Sequence, residues 1–211
     1  MTMRSVSHAA PAVWRTALTV ALAVALAGCA SPPPERTWLS LPQALSAGAA
    51  TASSPSPRAT PLLRLVRVQV PEYLQSNRVR YRDSAATLAE WPGVRWAERI
   101  EIGLTRHLSA QLNEQLGAGS VCDDACNAVP EAGNLQVSYA ALDHDRPRSQ
   151  LQAQVIWTLT PSPGSASSPR QGQVSVNEAV QDNSPAGQAA AMAQVSTAVA
   201  RDIAQQLRIK P

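Results

Sequence analysis

Apolar and polar residues alternate along much of the second half of this chain. In 151–159 the apolar positions are Leu151, Ala153, Val155, Trp157 and Leu159, with Gln152, Gln154 and Thr158 between them. A period of two sends successive side chains to opposite faces, so the run predicts a strand with one buried and one wet face. Leu135, Val137, Tyr139 and Ala141 repeat the pattern, and the charged stretch 143–149 reads as the turn joining the two as a hairpin. Segment 173–180, after a Pro/Gly/Ser-rich loop at 161–169, predicts a third meander strand. Upstream, Val66, Val68 and Val70 alternate with Arg67 and Gln69 within 62–70, which Pro71 ends. Val79 and Tyr81 alternate with Arg78, Arg80 and Arg82 in a second early strand. Segment 87–91 predicts a third, stopped by Pro92-Gly93, and 37–41 (TWLSL) a short first one.

The helical signals differ in period. Trp96, Ile100, Leu104, Leu108, Leu112 and Leu116 fall at every fourth residue. Each step of four advances 400°, so the stripe drifts about 40° per step and wraps roughly 200° over 96–116. A stripe that wide suits a helix that rests on a sheet and touches a second helix. Gly117 is placed to stop it. Ser184-Pro185 supplies an N-cap and a first helical residue for a last helix, whose apolar positions are Met192, Val195, Val199, Ile203 and Leu207. Arg208 and Lys210 stand at its C-terminal end, where cations offset the helix dipole. The order strands, helix, three strands, helix predicts an α+β fold: a mostly antiparallel sheet with both helices on one face. The domain would span 37–210, with the Pro/Ala/Ser-rich segment 42–61 as a loop inside it.

The N-terminal region has a different character. Arg4 and Arg15 precede TALTVALAVA, an uncharged run too short to span a bilayer, and Leu26-Ala27-Gly28-Cys29 follows. This reads as a secretory signal over 1–28. L-A-G-C resembles the lipobox of bacterial lipoproteins, which implies diacylation of the Cys29 thiol, cleavage after Gly28 and acylation of the new amino terminus, with palmitate among the acyl chains. The other readings are an ordinary signal with a chance cysteine, or an N-terminal anchor helix. Ala30 at the next position, rather than Asp, points under the lipoprotein sorting rule to an outer-membrane anchor. Residues 29–36, with three successive prolines, then form an extended tether.

Composition narrows the function classes. The 211 residues carry 18 Lys+Arg against 15 Asp+Glu, a net charge of +3, with 16% charged residues. Such a small excess argues against nucleic-acid binding. Three cysteines are too few for a disulfide-scaffold fold. Cys122 and Cys126 are spaced for a local disulfide in an oxidising compartment. A metal site would need further ligands, and a thioredoxin-type site a C-x-x-C. No cofactor is expected. Asp143-His144-Asp145 has the look of a catalytic fragment but lies in the expected turn without a nucleophile elbow, so it reads as solvated. His107 reads as a packing residue on the amphipathic helix.

Arg78, Arg80 and Arg82 project from one side of a strand, with Arg64 and Arg67 near in sequence. They make either a solvated edge or a contact surface for lipid headgroups or an acidic partner. Trp91 and Trp96 bracket Pro92-Gly93 and read as core anchors at the helix start, or else as part of a partner groove.

Val68-Gln69-Val70-Pro71-Glu72-Tyr73-Leu74, then Arg78-Val79-Arg80-Tyr81-Arg82, then Arg95-Trp96-Ala97-Glu98 opening a long helix, is similar to the ABC-type transport auxiliary lipoproteins, of which the paraquat-inducible protein C group is a branch. The resemblance covers 38–207. It implies a non-enzymatic outer-membrane lipoprotein facing the periplasm and supporting phospholipid movement. Its partners would be an MCE-domain protein and an inner-membrane transporter, with a homo-oligomer around the bridge as one arrangement. Tyr73 falls in the shared pattern and joins Arg78, Arg80, Arg82, Trp91 and Trp96 as a candidate partner or lipid surface. The chain departs from it in the long 42–61 loop and in TWLSL. Two other classes are a lipoprotein of outer-membrane assembly that plugs a barrel, of the lipopolysaccharide-insertion type, and a periplasmic hydrolase.

Overall fold

The expected hairpin of alternating residues forms the two longest strands of the sheet. In a computed structural model that describes residues 35–42, 63–122 and 132–209, the unit Arg36–Pro211 is an α+β domain. Its elements are β1 (Thr37–Leu39), β2 (Leu63–Leu65), β3 (Arg78–Arg82), β4 (Leu88–Trp96), α1 (Ile100–Leu116), β5 (Val121–Cys122), β6 (Gly133–Asp145), β7 (Gln150–Thr160), β8 (Arg170–Ala179) and α2 (Pro185–Ile209), with 3₁₀ turns at Glu72–Leu74 and Gln181–Asn183. The signal segment, Cys29, all but 35–36 of the tether, and residues 43–61 of the expected loop lie outside the described residues.

The sheet is mixed. β3–β4, β6–β7 and β7–β8 pair antiparallel, whereas the short strands β1 and β2 join β4 and β6 in parallel. β6 is shared by most of the fold: β7 takes one edge, and β2 and β3 take the other near its two ends. Helix α2 lies on β7 and β8, and α1 packs against α2. Leu104, Leu108 and Leu112 of α1 share one core with Met192, Val195, Val199 and Ile203 of α2 and with the inner faces of β6 and β7. Gln152, Gln154 and Ile156 stay exposed on the other face.

The structure corrects four boundaries. Pro92-Gly93 does not end the third early strand. Arg80 pairs with Glu90 but Arg78 pairs with Arg95, so 91–94 bulge out opposite Val79, with Gly93 at φ 71°, and the strand resumes. A bulge needs no ladder N–H at every residue, which is why proline is tolerated there. Trp96 belongs to β4 and not to the helix. Its N–H donates to the Asn77 carbonyl at 2.7 Å and its neighbour Ala97 donates to Leu39, so α1 begins only at Ile100.

Segment 62–70 forms strand only at β2. From Leu65↔Leu135 to the Gln69↔Ser138 bridge it gains one residue on β6, and the Val68 N–H turns to the Thr105 hydroxyl of α1 at 2.9 Å. Finally, 143–145 are strand and not turn. β6 carries a bulge between Tyr139 and Ala141, so the inward positions pass from Leu135, Val137 and Tyr139 to Leu142 and His144, and Ala141 loses its expected inward place.

Cross-strand packing is tightest at Trp157, which is buried and lies over Gly172 on β8. A Cβ on Gly172 would lie 2.5 Å from the indole. Gly172→Ala is therefore expected to cost about 1–3 kcal/mol through the forced shift of a buried ring. A lower urea midpoint at unchanged slope would show it.

Candidate functional site

At the end of the sheet where β6 meets β7, the second bulge and the first converge. The β6 bulge turns His144 inward to 1% exposure. The β4 bulge brings the half-buried Trp91 onto it, rings stacked at 23° with centroids 6.4 Å apart. Tyr81 of β3 meets Trp91 at 4.7 Å. Arg146, in the hairpin turn, lies 4.7 Å from the Trp91 ring and 4.9 Å from the Tyr81 ring, and donates to the Tyr81 hydroxyl at 2.9 Å. Cation–ring contacts of this kind contribute about 0.5–2 kcal/mol each.

Gln188, in the first turn of α2 and fully buried, ties the group together. Its amide nitrogen donates to the Arg80 carbonyl at 2.7 Å, which fixes the amide's orientation. Its oxygen then accepts from Trp91 Nε1 at 2.9 Å and faces His144 Nδ1 at 3.2 Å. An amide oxygen only accepts, so Nδ1 carries the proton and Nε2 presents a lone pair with no partner among the described residues. α2 is held in place here by its cap: the Ser184 hydroxyl accepts from the Gly187 N–H at 3.0 Å. Desolvation lowers the His144 pKa, opposed by the hydrogen bond to Gln188 and aided by Arg146.

The three arginines of β3 are tied into the chain. One guanidinium nitrogen of Arg78 donates to both carboxylate oxygens of Glu90, at 2.7 and 2.8 Å. Arg80 donates to the Tyr73 carbonyl at 2.6 Å. Arg82 pairs with Asp143 at 2.9 Å and sits 5.9 Å from the Tyr73 ring. Tyr73 itself donates to Asp143 at 2.7 Å, and burial, with that bond, pushes its pKa up to about 12. Asp143 and Asp145 point to the face opposite His144, toward Arg82 and Arg148. The three adjacent residues thus do not assemble an acid, a base and its orienter. Asp143-His144-Asp145 is corrected from a solvated turn to a strand end with its central ring buried.

Of the residues singled out from sequence, Tyr73, Arg80, Arg82 and Trp91 meet at this end, and Trp96 is a buried core anchor. His107 is buried on α1, and desolvation lowers its pKa. Cys122 is disulfide-bonded at the end of β5; Cys126 lies outside the described residues. Arg146 and Gln188 escaped notice. Gln188 had a signal, since it falls four residues before Met192 on the apolar stripe of α2, where a polar side chain must find partners or pay desolvation. Arg146 had none, because only the fold brings the turn over Trp91.

A mixed sheet under two helices, with a partly buried polar network at one end, defines an α+β domain. A family sequence model described as the ABC-type transport auxiliary lipoprotein component matches residues 43–204, and the chain belongs to that family. Solved structures with this fold include an uncharacterized protein at 17% identity, with a TM-score of 0.65 over 82% of this chain and 99% of that one. Another is a Xanthomonas campestris protein of the DUF330 family at 16% identity, with a TM-score of 0.60 over 82% and 95%. At these identities the likeness speaks for the fold alone. No curated protein sequence matches the chain.

Gln188→Ala is expected to destabilise the domain by about 2–4 kcal/mol, because it strands two buried donors and a carbonyl. Chemical denaturation measures it, and a loss under about 0.5 kcal/mol would show that the network carries little. Two of the three histidines, His107 and His144, set a pH dependence. Burial holds both rings below the ordinary value near 6.5, so as pH falls through that value the unfolded chain binds more protons than the folded one. Stability should be level above about pH 7 and should fall between about pH 6.5 and 5, with a shallower fall in His144→Gln. A urea midpoint that rises on acidification over that window would contradict the sign.

Proposed function

We propose that this chain is an outer-membrane lipoprotein, acylated at Cys29 and facing the periplasm. Its folded domain serves as the non-catalytic accessory component of an MCE/ABC-type intermembrane phospholipid transport system. The family match over 43–204 carries the reading, and it sits directly behind L-A-G-C and a proline leash. A thiol at Cys29 is the nucleophile that such acylation requires, and acyl chains of this kind contribute about 0.8 kcal/mol per buried CH₂, enough in number to anchor the protein stably. The domain then works within reach of the membrane as a docking body for the transporter and its MCE-domain bridge.

Radiolabelled palmitate is expected to enter the wild-type protein in a Gram-negative host and to be absent from Cys29→Ser, which should leave the outer-membrane fraction. Crosslinking in membranes is expected to capture an MCE-domain protein. Capture of a β-barrel instead would transfer the protein to the assembly-lipoprotein class, and unlabelled protein with unchanged fractionation would remove the anchor.

A further inference from the structure

β8 leaves a long side of the sheet open. Among the described residues it pairs with β7 and with no other strand, so alternate N–H and C=O groups along its ten residues face outward with no ladder beside them. The other two ends of the strand order are β1 and β5, of three and two residues, too short to template another chain. β4 runs on past β1, but Pro92 and its bulge blunt that stretch.

Nothing of that kind guards β8. It pairs with β7 from Arg170 to Ala179 with no register shift, and it contains no proline or lysine. From Gln171 to Asn177 it carries no charge. Gln171, Gln173, Ser175 and Asn177 are exposed on the outer face. Val174 and Val176 pack on the core on the side where α2 lies, yet stay only partly buried, because the sheet stops beside them.

The strand is also complementary to itself. A second copy joining this edge antiparallel has to keep buried face beside buried face, so only residues of like parity can stand opposite one another. Centred on Val174, such a register sets Val174 beside Val174 of the second copy and Val176 opposite Gly172 on the inner face. On the outer face it sets Gln173 opposite Ser175 and Gln171 opposite Asn177, pairs that can exchange side-chain hydrogen bonds. The position opposite Gly172 adjoins the buried Trp157 ring, and a valine suits it. Centring on Ser175 would put Glu178 there instead. The register needs nothing from Arg170, which is engaged within its own chain.

We infer that β8 is the contact edge of an isologous dimer, in which two copies of this chain pair antiparallel about a two-fold axis at Val174 and join their sheets into one. The inference rests on neither the lipid anchor nor the transport reading, since it uses only the strand and its neighbours.

Sedimentation velocity on the full chain carrying Cys29→Ser, which lacks the predicted acylation site, tests it. A concentration-dependent passage from one chain to two is expected. Gln173→Lys with Ser175→Lys, both at exposed positions, sets like charges opposite each other at two places and should weaken the dimer by about tenfold at low salt, with circular dichroism unchanged. Gln173→Glu with Ser175→Lys sets opposite charges there and should restore it. Val174→Cys should form a disulfide between two chains on mild oxidation, whereas Asn177→Cys, about 20 Å from its own copy in this register, should not. A chain that stays monomeric at every concentration would leave the edge to a strand of another protein and overturn the proposal. So would a closed ring of more than two copies, a dimer indifferent to the double lysine variant or not restored by the charge-paired one, or no disulfide at Val174→Cys.

Discussion

One extra residue in β6 decides what the upper end of this domain is. The strand pairs with β7 from Asn134 to Asp145, and α2 lies on β7, so an inward carboxylate here would be costly to bury. Without the bulge between Tyr139 and Ala141, the odd positions would continue inward and Asp143 and Asp145 would be driven under the helix. With it, the phase reverses. The acids turn out to Arg82 and Arg148, and the single ring of His144 goes in. Neutral imidazole is far cheaper to bury than two carboxylates, and one glutamine supplies its acceptor.

That constraint separates the two ends of the sheet. At the β6–β7 turn, aromatic rings, a stacked guanidinium and a bridging amide are joined in one network. At the far end the ribbon starts on Gly133 and finishes on Thr160, and the helices stop short, so leucines face an open space that no side chain of the described residues fills.

Much of this was legible in the sequence. The strict alternation of β7 and the capped, apolar-striped α2 came out nearly to the residue, because period and cap are local properties. The errors share a cause. Pro92-Gly93 read as a stop, Trp96 as a helical residue and 143–145 as a turn, because a bulge changes the phase of a strand without changing its composition. Trp96 also fell at a helical spacing by coincidence, its burial coming from strand pairing. The site was legible residue by residue but not as a constellation. Arg80 and Arg82 were read as contact groups and proved to be tied to Tyr73 and Asp143, while Trp91, read as a core anchor or part of a groove, is half-buried against His144 and Tyr81.

The internal pairing of the β3 arginines bears on how such a domain would meet a partner. Arg78 and Arg82 are each held by a carboxylate and Arg80 by a carbonyl, so contact through them would first have to break bonds already made. Nor do the large exposed hydrophobics gather on one element: Trp38, Leu88, Ile102 and Ile156 come from β1, β4, α1 and β7. On the proposed reading this is no handicap. A lipid anchor confines the domain near the membrane and raises its effective concentration at a bridge fixed in the same envelope. Contacts too weak to hold a freely diffusing partner then suffice, and the fold can spend its strongest interactions on itself.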